Sequence, residues 1–248
     1  MSSREPAPMA PRKRRLAALA LAGTTLAGTT LGGVANAAGA PGVYDPQIDP
    51  ATFSTTIDNP FFPLPVGRTW VYRTTVPDGV EHVRVQVLAK TKVVDGVTCV
   101  VVHDTLHKRG KLIEDTYDWY AQDAKGNVWY FGEDTTSYSG GRPDKGGSFQ
   151  AGKHGAKPGI IMLAHPKVGR TYREEYLPGE ALDQATVVHR GARAKVPLDT
   201  YTGVLVTRNF TKLEPGIVEH KWYARGVGSV RTISPKEGEV EVLVKMTG

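Results

Sequence analysis

The sequence predicts an all-β protein: antiparallel meanders, in two related halves, forming a curved sheet, a half-barrel or a barrel. Three observations carry that expectation. Apolar and polar residues alternate with period two through most of the chain beyond residue 65, and short Gly-containing breaks separate the alternating runs. No segment after residue 40 sustains the apolar stripe of a helix. With 248 residues, 40% of them hydrophobic, the chain can bury a sizeable core.

In chain order, the first element is an export signal. A polar, basic stretch ends in Arg12-Lys13-Arg14-Arg15, a mildly apolar run extends from Leu16 to Val34, and Ala35-Asn36-Ala37 offers small residues to a signal peptidase. Residues 1–37 therefore read as a signal peptide cleaved after Ala37. The Gly and Thr content of the run makes it a poor anchor, so the mature protein is expected to carry no transmembrane segment and to be secreted, extracellular. Arg14-Arg15 matches a twin-arginine signal in part, which leaves both general export routes open. Five of the 31 basic residues and one of the 25 acidic ones lie in this segment, so the rest of the chain is close to neutral. That balance gives no electrostatic case for nucleic acid. The one cysteine, Cys99, excludes an intramolecular disulfide and a Cys-rich zinc site. It sits in the apolar run Val97–Val102 and reads as a buried, inert thiol.

Residues 38–65 form a proline-rich lead, and residues 66–248 a single β domain. Alternation is clearest at Val83, Val85 and Val87, and further runs cover 68–75, 97–107, 111–122 and 127–132. Breaks at Pro77-Asp78-Gly79, Asp95-Gly96, Arg109-Gly110 and Lys125-Gly126 are hairpin signals. An internal echo organises the domain: Val66-Gly67-Arg68-Thr69 recurs as Val168-Gly169-Arg170-Thr171, and Trp119-Tyr120-Ala121 as Trp222-Tyr223-Ala224. Two pseudo-repeats of about five strands, 66–132 and 168–233, follow from that spacing. The Gly-rich connection 133–167 joins them. Its apolar stretch Ile160, Ile161, Met162 and Leu163 is expected to pack on a sheet or to close over a cavity as a flap.

The lead Asn59-Pro60-Phe61-Phe62-Pro63-Leu64, followed by Gly67-Arg68-Thr69-Trp70-Val71-Tyr72, resembles a motif of exported bacterial β-proteins, many of unknown function. Glu219-His220-Lys221-Trp222-Tyr223-Ala224, followed by Gly226-Val227-Gly228, is similar to their carboxy-terminal signature. Through these blocks the chain is loosely similar to periplasmic lipoprotein carriers. The resemblance implies a curved, half-open β-barrel whose concave face holds acyl chains. The lipidated cysteine of many such proteins has no counterpart here, and the resemblance carries over no active-site residue.

Polar chemistry concentrates in one predicted hairpin. With Arg109-Gly110 as a two-residue turn, His103 lies opposite Thr116 and His107 opposite Leu112. Alternation then gives His103 and His107 one face with Glu114, Thr116, Asp118 and Tyr120. Two imidazoles and the Glu114 carboxylate within reach of one another suit a metal with an open position or an acid–base pair. A solvated outer sheet surface accounts for the same mixture. The opposite face, with Val100, Val102, Leu106, Ile113, Tyr117 and Trp119, reads as core. Asp104 and Asp115 interrupt that face and are set directly opposite each other, open to water or sharing a cation or proton.

Aromatic residues cluster in the same strands. Trp119, Trp129 and Trp222 are the expected lining of a ligand pocket, although ordinary sheet core explains them too. No nucleophile elbow, phosphate loop or H-E-x-x-H zinc motif is present, and no cofactor is called for. These readings converge on an exported, non-catalytic protein that binds an apolar or amphipathic ligand at the cell envelope. The alternatives are a secreted hydrolase or metalloenzyme built on His103, His107 and Glu114, and a passive envelope interaction protein.

Overall fold

In the computed structural model, residues 44–138 and 142–248 are described; the signal peptide 1–37 and the start of the lead lie outside the described residues. Alternation becomes strand wherever the sequence carries it. The lead contributes β1 (Phe53–Ser54), and the first meander is β2 (Thr69–Val76), β3 (Gly79–Val94), β4 (Val97–Lys108), β5 (Lys111–Asp123) and β6 (Val128–Ser137), with β1 paired to β5. Two elements from the connection follow, β7 (Phe149–Gln150) and β8 (Lys157–Met162), and then β9 (Thr171–Arg173). The rest is β10 (Glu175–Tyr176), β11 (Asp183–Lys195), β12 (Thr200–Thr211), β13 (Val218–Ala224), β14 (Gly228–Ser234) and β15 (Glu239–Thr247).

Thirteen of these strands make one antiparallel sheet, nearly closed into a barrel, in the order β10-β8-β6-β5-β4-β3-β2-β15-β14-β13-β12-β11-β9. The two edges, β9 and β10, are consecutive in the chain with Glu174 alone between them. One bent segment thus belongs to both ends of the sheet and draws them together. The seam requires Gly159 on β8: a Cβ there would lie 2.3 Å from the backbone carbon and oxygen of Glu174. Hairpins elsewhere form where glycine allows. Asp95-Gly96 and Arg109-Gly110 have positive φ at both positions, the turn whose twist suits paired strands.

The starts of β2 and β9 are tied alike. The Gly67 N–H donates to the Val87 carbonyl and the Val87 N–H to that of Arg68; Gly169, Val187 and Arg170 repeat both bonds. Ile160–Met162 lies within β8 and pairs with β6, so this part of the connection is sheet.

The barrel interior holds the larger hydrophobic core, with contributions from Trp70, Val83, Val102, Tyr130, Val187, Leu205 and Leu243. Ile57, Phe61 and Leu64 of the lead are buried in it. Asn59 fixes the lead in place. Its Nδ2 donates to the Gly126 carbonyl (2.9 Å) and the Leu163 carbonyl (3.2 Å), and its Oδ1 accepts from the Phe61 N–H. We call residues 59–64 the plug. A second, smaller core on the outer side packs Val94, Val97, Cys99, Val101, Trp119 and Phe131 beneath Ile48 and Phe53. Cys99 is fully buried there, and burial pushes its thiol up to about 12. None of the helices among the described residues is long and apolar enough to cross a membrane.

Candidate functional site

A bulge in β5 decides which side chains of the β4–β5 hairpin enter the barrel. Beside the turn, Lys108 pairs with Lys111 and His107 with Leu112, but Leu106 pairs with Glu114, so Ile113 is an extra residue. Beyond it the register is one residue away from that set by the turn: Asp104 faces Thr116, His103 faces Tyr117, and Val102 faces Asp118. Because side chains alternate, the shift exchanges the two faces of β5 relative to β4. Glu114, Thr116, Asp118 and Tyr120 turn inward with Val102, Asp104 and Leu106. Tyr117 and Trp119 turn outward with Val101 and His103. The expected pairing of Asp104 with Asp115 is corrected by the same shift, and the two lie on opposite faces of the sheet.

This separates the histidines from Glu114. His103 Nε2 sits 2.6 Å from Asp115 Oδ1, and its ring stacks on Tyr117 at 4.4 Å between centroids. His107 lies between Leu112 and His82 on the neighbouring strands. Among the described residues, no group of three or more His, Cys, Asp or Glu side chains is arranged to hold a metal ion.

The inward face carries buried carboxylates. Asp118 accepts a hydrogen bond of 2.9 Å from the Tyr130 hydroxyl, yet burial raises its carboxyl to about 7. Glu133 on β6 accepts from Thr135 Oγ1, and burial together with Asp118 holds it well above the usual carboxylate range. Asp104 is 5% exposed, and its Oδ1 has no hydrogen-bond partner. Burial, with Asp118, Glu114 and Glu241 nearby, pushes its carboxyl well up.

Asp104 and Asp118 border a cavity of about 60 Å³ under the plug. That is room for about two water molecules at liquid density. Phe62, Pro63 and Leu64 cover it, Trp70, Tyr72, Val83, Val85, Val102 and Tyr120 wall it, and Val227, Gly228, Ser229 and Glu241 complete the lining. Trp70 Nε1 donates to the Val227 carbonyl (2.8 Å) and the Tyr72 hydroxyl to that of Ser229 (3.0 Å). Their polar ends being engaged, these rings offer the cavity mainly aromatic carbon. Among the described residues lining it there are three carboxylates and no Lys, Arg or His.

The expected ligand-lining residues occupy other places. Trp119 belongs to the outer core, with Lys92 Nζ 3.2 Å from its ring centroid. Trp129 is half-buried and donates to Asp123 Oδ2. Trp222 is half-buried beneath the Arg231 guanidinium. Ile161 and Met162 are buried in the larger core, with Ile160 and Leu163 packed against it. The cavity is lined by none of these seven. Two signals pointed to its actual walls: Asp104 interrupting an apolar run, and the aromatic, proline-rich plug sequence.

No family model matches the chain, and no curated protein matches it. A solved structure of a putative lipoprotein from Parabacteroides distasonis is similar over 76% of this chain and 99% of that one, at 13% identity and a TM-score of 0.42.

Proposed function

We propose that the protein is an exported, non-catalytic binding protein that takes a small amphipathic ligand into the cavity beneath the plug. The observation that carries this reading is the composition of the cavity: aromatic and aliphatic walls on most sides, and the carboxylates of Asp104 and Asp118 on one. Apolar walls supply affinity through buried area, while a few buried polar groups fix orientation. The volume suits one end of a ligand, a few non-hydrogen atoms, rather than a whole acyl chain. Export is supported by the sequence pattern of residues 1–37.

Native mass spectrometry of the protein recovered from its natural source, beside a denatured control, tests the reading. The expected result is a discrete organic mass that disappears on denaturation. A bare polypeptide mass, with Trp70 fluorescence unresponsive to a panel of small amphipathic compounds, overturns it.

A further inference from the structure

The cavity also indicates the charge of what it binds. Asp104 is more than nine-tenths buried, lines the cavity, and has an oxygen without a hydrogen-bond partner. A buried carboxylate left this way carries a desolvation cost that a hydrogen-bond donor or a cation would offset. Asp118 and Glu241 line the same space, which makes the surroundings repel an anion and attract a positive charge. Trp70, Tyr72 and Tyr120 add aromatic rings, whose faces attract cations. Apolar walls on the remaining sides disfavour a bare, strongly hydrated ion, which would lose its water without enough oxygen ligands in return. An alkylated ammonium group meets these conditions: its charge is spread over carbon and it needs few hydrogen bonds.

We infer that the site is a receptor for an organic cation, an alkylated ammonium headgroup held beside Asp104 and Asp118 and enclosed by Trp70, Tyr72, Tyr120 and the plug. This rests on the binding reading above and gives that reading a ligand class. As the cation binds, Asp104 gives up its proton to solvent and supplies the counter-charge, and the rings supply cation–π attraction.

Choline and its uncharged isostere 3,3-dimethylbutan-1-ol separate the contributions, because they match in shape and differ in charge. Binding is followed by tryptophan fluorescence and by NMR shifts of the Trp70 indole in the purified protein. Choline is expected to bind at least about tenfold more tightly than the isostere, with Asp104→Asn removing most of that preference. Asp134→Asn, at a half-exposed side chain, should leave it intact. Equal binding of the two probes overturns the cationic assignment and leaves the cavity a binding site. If neither probe binds while native mass spectrometry shows an organic adduct, the ligand class is again wrong and the binding reading stands. If neither probe binds and no adduct is present, both fall. The comparison of probes on the unmodified protein decides the matter even where Asp104→Asn does not fold.

Discussion

At the scale of single residues, Asn59 determines whether the plug stays seated. The side chain is 2% exposed and makes three hydrogen bonds, to Gly126, Leu163 and Phe61, while its own N–H donates to Gln122 Oε1. One amide thereby joins the lead to the β5–β6 turn and to the end of β8. Asparagine is needed because the two carbonyls require donors and the Phe61 N–H an acceptor, and no other side chain of this size offers both. Asn59→Ala leaves buried backbone groups unsatisfied and is expected to cost about 2–4 kcal/mol. Asn59→Asp should cost at least as much, since it presents oxygen to a carbonyl that now meets an amide donor. Urea unfolding checks both as a lower midpoint at unchanged slope. A loss below about 0.5 kcal/mol would show that water replaces these bonds freely and that the plug is held by its aromatic rings alone.

At the scale of elements, the decisive features are a seam and a bulge. Beside the seam, Tyr44 donates its hydroxyl to the Pro158 carbonyl, and the Arg173 guanidinium lies over the rings of both Tyr44 and Tyr176. The lead therefore straps the junction between β8 and the β9–β10 segment. Gly159→Ala forces a methyl group into the Glu174 backbone and should part the two edges, costing on the order of 3 kcal/mol. Limited trypsin digestion reads this as faster cleavage after Arg173. Cleavage there at the wild-type rate would mean that the seam does not rest on this close approach. Much of this architecture was legible in the sequence, because turns and strands are local: Asp95-Gly96 and Arg109-Gly110 name their own hairpins, and alternation names the strands between. The bulge at Ile113 was not legible. An extra residue in one strand leaves the composition and the turn unchanged, and what selects it is burial of Val102, Leu106 and Tyr120 on one face, a property of the assembled sheet. The candidate site inherited that error. Asp104 stood out as a charge in an apolar run, but its partners depended on a register set from outside the hairpin.

At the scale of the whole molecule, the barrel encloses ionisable groups in both halves, and this gives stability a definite dependence on pH. In the first half Asp118 is raised to about 7 by burial. In the second, burial raises Glu174 to about 7 even though Lys221 and two hydrogen bonds from Asn209 favour its charged form. In the unfolded chain such groups release their protons near pH 4. Between about pH 4 and 7 the native state therefore holds more protons than the unfolded state, and stability falls as pH rises, by up to about 1.4 kcal/mol per pH unit for each group. Below that window both states are protonated and these groups contribute no slope. Calorimetry across about pH 4.5 to 8 is expected to show Tm decreasing toward neutrality, opposite in sign to a protein stabilised by paired carboxylates. Asp118→Asn, which keeps the shape and cannot ionise, should flatten the decrease and raise Tm near pH 8. A Tm that climbs through the window would mean that the interior carboxylates find cationic partners in solution. An unchanged slope in Asp118→Asn would instead move the proton uptake to Glu174, Asp104 or Glu133.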